Sequence, residues 1–119
     1  MSVKLTSRQV GDVTVVDAAG RITLGEGSGL LRSTIKDLVT NGNRNILLNL
    51  KDVTYLDSAG LGEILFDYVI VAKQGGELRI CSPENTFRNQ LEITKLKEAL
   101  QVFSNESEAL SSFALAAAA

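Results

Sequence analysis

The spacing of hydrophobic and polar positions changes several times along the chain, and each change marks an element. Residues 4–9 and 13–18 read as strands joined by a short turn containing Gly11-Asp12, which is a hairpin signal. Gly20 is expected to end the second strand, and residues 23–29, with three glycines, read as a loop. From Leu30 the period becomes helical. Leu30, Leu31, Thr34, Ile35, Leu38 and Val39 recur with Arg32, Ser33, Lys36 and Asp37 between them, and Asn41-Gly42-Asn43 supplies the stop. Residues 45–50 are a short, nearly continuous apolar run, the pattern of a strand covered on both faces.

A second stretch, 53–56, leads to Asp57-Ser58 and then to a helix with Leu61, Ile64, Leu65, Tyr68 and Ala72 on its core face, stopped by Gly75-Gly76. Residues 77–81 read as a strand, Ser82-Pro83-Glu84 as a helix start, and 87–96 as a third helix. Residues 102–103 form a brief edge strand and 106–115 a closing helix, which the alanines at 116–119 either prolong or follow as a frayed tail. A hairpin followed by alternating helices and strands predicts an α/β fold. The expected architecture is one domain over residues 1–119. Its mixed, mostly parallel sheet has four to five strands, is opened by a β-hairpin, and carries about four helices. With so few elements, one face of the sheet is expected to be less well covered.

Composition narrows the chemistry. A chain of 119 residues buries roughly two thirds of its unfolded surface and needs no disulfide or metal to build a core. The formal net charge of −2 and pI near 5.1 give no electrostatic case for nucleic acid. Histidine is absent, which removes the commonest general base and metal ligand. Cys81 is the single cysteine and reads as a buried small hydrophobe. The first fifteen residues lack the order of a secretory leader, and the apolar stretches fall short of the ~20 residues that cross a bilayer. The expectation is a cytoplasmic chain with no membrane contact and no cofactor.

The segment from Tyr55 to Gly62 carries the chemistry. Ser58 falls where an N-cap belongs, with its hydroxyl oxygen placed to accept from the amide of Gly60 or Leu61; taken alone it is an ordinary cap worth ~1 kcal/mol. Gly60 and Gly62 each cost ~0.8–1 kcal/mol against alanine in a helix. Two explanations stay open: approach by a partner's backbone, or close helix–strand packing inside the domain. The helical wheel sets Ala59, Gly62, Phe66 and Ile70 on the far side, beside Glu63 and Asp67, as a partly apolar strip below Ser58. That strip is either a partner-binding surface or one side of a broad helix buried on two sides. A phosphate on Ser58 would lie at the positive end of the helix dipole, opposed by Asp57, and would add about two negative charges to a face that a partner must cover.

The hairpin start, the run at 45–50, Asp52-Val53-Thr54-Tyr55-Leu56-Asp57-Ser58-Ala59-Gly60-Leu61-Gly62, and Gly75-Gly76 before a strand together resemble the STAS domain of bacterial anti-sigma factor antagonists. The resemblance implies that Ser58, directly after the aspartate, is the phosphoacceptor. It implies that the unphosphorylated protein binds an anti-sigma factor serine kinase and frees the sigma factor. Phosphorylation of Ser58 then ends the complex, and a PP2C-type phosphatase resets the cycle. The domain would be substrate and ligand, with no active site of its own. The expected partner-binding residues are Asp57, Ser58, Ala59, Gly60, Gly62, Glu63, Phe66 and Ile70, with Arg21 and Thr23 from the neighbouring loop. Two places depart from the family pattern. Arg21-Ile22-Thr23 stands where many members have an acidic turn, and Ala59 stands where many have a second small hydroxyl.

Three other readings compete. An unphosphorylated STAS scaffold of a signalling or transport assembly would not need a hydroxyl at Ser58. A phospho-aspartate receiver would need an acidic pair after its first strand, which neither 9–12 nor 17–20 supplies. A hydrolase with Ser58 as nucleophile lacks a histidine and any evident base.

Overall fold

A computed structural model, which describes residues 3–83, 89–90 and 100–118, places the apolar run at 45–50 on the central strand of a five-stranded sheet. In chain order the elements are β1 (Val3–Val10), β2 (Val13–Ile22), α1 (Glu26–Thr40), β3 (Asn45–Leu56), α2 (Ser58–Lys73), β4 (Glu77–Cys81), β5 (Val102–Phe103) and α3 (Glu106–Ala118). The strands lie side by side as β1-β2-β3-β4-β5. β1 and β2 form the antiparallel hairpin, and every later neighbour is parallel. The mixed, mostly parallel α/β sheet expected from the alternation is the one observed.

Period-two alternation of the strands divides the core between two faces. Val16, Ala18, Ile46, Leu48, Leu50, Leu78 and Ile80 meet Leu31 and Ile35 of α1 and Leu61, Ile64 and Val71 of α2. Val13, Val15, Leu47 and Cys81 turn the other way and meet Ala109 and Phe113 of α3. Cys81 is the buried small hydrophobe expected, and burial pushes its thiol up to about 11. Each fully buried aliphatic side chain contributes roughly 1.5–3 kcal/mol. The face under α3 has the smaller cluster. There Arg8 fastens β1 to Asp17 at 2.7 Å and also pairs with Glu106 at the start of α3.

Three boundaries differ from expectation, and a fourth, left open by the sequence, is settled. β2 does not stop at Gly20 but runs on to Ile22. The glycine-rich segment is not all loop, because α1 already begins at Glu26. Gly27 packs so closely on the end of β2 that a Cβ there would stand 3.0 Å from the Arg21 carbonyl oxygen, so this glycine serves packing and not chain freedom. Residues 45–50 and 53–56 belong to one long strand, β3, whose pairing with β2 shifts register between Asp17 and Ala19 and again between Gly20 and Arg21. α3 continues through the alanines to Ala118. Among the described residues three helices are delimited, against about four expected. The helix start at Ser82-Pro83-Glu84 and the helix over 87–96 involve residues outside the described ones, although Asn89 and Gln90 are helical.

Candidate functional site

A single residue, Asp57, joins the end of β3 to the start of α2. Its backbone is extended (φ −90°, ψ 178°), the geometry of an N-cap. Its Oδ1 accepts from the Gly60 N–H at 2.7 Å and its Oδ2 accepts from the Leu24 N–H at 3.2 Å. The same carboxylate therefore starts α2 and ties down the loop that leaves β2. The Gly60 amide, assisted by that of Leu24 and opposed by partial desolvation, holds the Asp57 carboxyl below the usual carboxylate range.

This corrects the expectation that Ser58 caps the helix. The Asp57 carboxylate turns one acceptor oxygen to each of two amides that come from different segments of the chain. Ser58 is instead the first helical residue, exposed, and its hydroxyl makes no hydrogen bond among the described residues.

The two glycines separate into different roles. A Cβ on Gly60 would overlap the Ile22 carbonyl oxygen and stand 2.8 Å from Leu56 Cδ1, so this glycine permits close helix–strand packing inside the fold. Gly60 is buried and offers no surface of its own. Gly62 is exposed and a Cβ there would meet nothing within 4 Å, so nothing among the described residues requires it.

The wheel is only partly right about α2. Leu61 and Ile64 are buried as expected, Leu65 and Tyr68 are half-buried, and Ala72 is exposed while Val71 takes the core position. Phe66 lies outward at 46% exposure, and Ala59 and Ile70 are half-buried. Glu63 and Asp67, placed outward by the wheel, are 6% and 1% exposed. The reason is α1. Both helices return between parallel strands and run side by side, so α2 is covered on a flank as well as underneath. Arg32 of α1 reaches across to Glu63 with two contacts, at 3.0 and 3.2 Å, while its guanidinium lies 4.4 Å from the centre of the Phe66 ring. Asp67, one turn below Glu63, accepts no hydrogen bond from any described donor. Burial, and then Glu63, to which a protonated Asp67 can donate and whose charge opposes ionisation, push the Asp67 carboxyl up to about 9 against the opposing pull of Arg32.

Arg21 and Thr23 arrive at the same end of the sheet as Ser58, because Arg21 pairs with Tyr55 and Ile22 with Leu56 in the ladder. The Arg21 guanidinium stacks 4.4 Å from the Tyr55 ring centre, and Thr23 is half-buried in the loop. Arg21, Thr23, Asp57, Ser58, Ala59 and Gly62 thus share one end of the molecule, and Phe66 and Ile70 continue along α2. Sequence reasoning missed Leu24 (79% exposed), Leu30, Tyr55 and Val69, which join Phe66 as the large exposed hydrophobics. Leu24 had one available signal: an isolated leucine in a glycine-rich segment belongs to no periodic face. Among the described residues no cluster of His, Cys, Asp or Glu is built to hold a metal, and no helix is long and apolar enough to cross a membrane.

Residues 4–109 match the model of the STAS domain, and the chain belongs to that family. An anti-sigma F factor antagonist from Paenibacillus polymyxa is 33% identical over 66 residues, 56% of this chain. The match spans a little over half the length of that relative, also 56%. An anti-sigma-B factor antagonist from Bacillus subtilis (strain 168) is 29% identical over 102 residues, 86% of this chain and 92% of that protein. Among solved structures, the Bacillus cell fate determinant SpoIIAA in its phosphorylated form shares the fold, with a TM-score of 0.72 at 19% identity over 92% of this chain and 99% of that one.

Two outcomes test this geometry. In urea denaturation Gly60→Ala should destabilise the fold by about 1–3 kcal/mol through overpacking against β2. Gly62→Ala should stabilise it by about 0.8–1 kcal/mol, since only helix propensity changes. Equal effects would mean that the two glycines face the same surroundings. For Asp67, the native state keeps a proton that the unfolded chain loses above its ordinary value of 3.8, so stability should fall as pH rises from there towards about 9. Asp67→Asn should remove that slope. Its melting temperature should exceed that of the parent by a margin that widens from pH 5 to pH 8, and a constant margin would refute the assignment.

Proposed function

We propose that this chain is an anti-sigma factor antagonist working by partner switching. Unphosphorylated, it binds an anti-sigma factor serine kinase through the end of the molecule that carries Ser58, and the sigma factor is released. Phosphorylation of Ser58 ends the complex, and a PP2C-type phosphatase restores it. The observation that carries this reading is the Ser58 hydroxyl, without a hydrogen bond among the described residues and left exposed on the first turn of α2 because Asp57 has taken the cap. The names of the two antagonist relatives and the existence of a phosphorylated SpoIIAA with this fold support it.

A phosphate on Ser58 needs no refolding. The helix terminus offers the positive end of its dipole and a free N–H, while the Asp57 charge opposes the dianion. The change is one of bulk and charge on a surface that a kinase must cover. Ser58, Ala59, Gly62, Phe66 and Ile70 form that surface, with Arg21 and Thr23 at its edge. Asp57 and Gly60 shape it from within, and Glu63 holds the Arg32 that steadies Phe66.

With ATP and the anti-sigma factor kinases of the same cell, the protein should gain one phosphate, and Ser58→Ala should gain none; continued labelling of that variant would move the site elsewhere. Ser58→Glu should lose kinase binding with its melting temperature nearly unchanged. Phe66→Ala should weaken binding by about tenfold. Because Phe66 is nearly half exposed, that substitution should cost well under the ~3 kcal/mol of a core phenylalanine.

A further inference from the structure

The junction between β2 and β3 contains an irregularity with a chemical consequence. Gly20 pairs with Val53, and regular pairing would carry Arg21 to Thr54. The register shifts there, and Arg21 faces Tyr55 instead. Thr54 becomes the extra residue and donates its hydroxyl to the Gly20 carbonyl at 3.2 Å. Alternation breaks, so Thr54 and Tyr55 are both exposed between the buried Val53 and Leu56. The bulge thus sets an aromatic ring under the Arg21 guanidinium, 4.4 Å from the ring centre.

Arg21 is exposed and has no carboxylate partner among the described residues. Asp57, two positions beyond Tyr55, already accepts from two amides, and Asp52 on β3 lies opposite Ala19. A stacked guanidinium has little rotamer freedom left to lose, and its planar fork matches a carboxylate. It stands on the strand end that leads, through Ile22 and Leu56, to Ser58.

We propose that Arg21, held on Tyr55 by the β3 bulge, selects the kinase partner by pairing with a carboxylate on its surface. This rests on the partner-switching function proposed above and adds the chemistry of the complementary patch: the cognate kinase presents an acidic side chain opposite Arg21. Such a pair sits at the edge of the interface, where charge acts mainly on association rate and on rejection of the wrong partner.

The probes are the purified anti-sigma factor kinases of the same cell, with association and dissociation followed at low and high salt. Arg21→Glu should slow association with the cognate kinase about tenfold at low salt, and the difference should shrink at high salt as screening grows. Arg21→Gln should give a smaller loss of the same kind, and Tyr55→Leu, which keeps the charge but removes the stack, an intermediate one. Replacing one acidic residue of the kinase by lysine should restore binding to Arg21→Glu. Circular dichroism checks that each variant folds. If Ser58→Glu abolishes binding while Arg21→Glu binds as the parent does, the Arg21 assignment is wrong and the function stands. If no kinase binds the parent chain, the function fails, and the Arg21 assignment falls with it.

Discussion

The Asp57 carboxylate accepts two backbone amides from different parts of the chain, and the end of the molecule that carries Ser58 is organised around that pair of hydrogen bonds. One oxygen satisfies the first turn of α2 and the other holds the loop after β2. With both ends fixed to one side chain, α2 leaves the sheet so close to β2 that only a glycine fits at position 60, against the Ile22 carbonyl. The same arrangement relieves Ser58 of any capping duty. A hydroxyl that must hold a helix together is poorly placed to be modified, and the phosphorylation proposed for Ser58 would leave the Asp57 cap intact.

The second constraint is that α1 and α2 lie on the same face of the sheet. Parallel strands added in sequence order, β2 to β3 to β4, require crossovers of one hand, and these deliver both helices to one side. α2 is therefore buried along its underside and along the flank that meets α1. Two acids on that flank, Glu63 and Asp67, end up nearly inaccessible, one paired with Arg32 and the other keeping its proton. The outward face of α2 that remains is narrow and carries Gly62, Phe66 and Val69. Phe66 is steadied there by the Arg32 that neutralises Glu63, so the buried pair and the exposed ring are parts of one arrangement.

Much of this architecture is legible in the order of residues alone. The hairpin, the central apolar strand and β4 follow from local pattern, because a two-residue turn, a run of aliphatics and a Gly-Gly stop act over a few neighbouring positions. The Asp57-Ser58 junction is equally plain as a helix start. Which of the two residues caps the helix is not legible, since both are good caps and the Leu24 amide, 33 positions away, makes the choice. The wheel misplaces Glu63 and Asp67 for a similar reason: it assumes one buried face and cannot register a second helix alongside. The bulge that brings Tyr55 to Arg21 leaves no periodic signature, because it is a property of a pair of strands.

Local sequence is thus enough for the α/β order, for the strand at the centre of the sheet, and for the helix start that bears Ser58, since each depends on propensities and spacings within a few residues. Three outcomes come from tertiary contacts instead: Asp57 and not Ser58 holds the helix, Gly60 packs inward while Gly62 faces open space, and Arg21 rests on Tyr55. They depend on the register of β2 against β3 and on the position of α1 beside α2. These are long-range relations whose energies come from closing one element onto another.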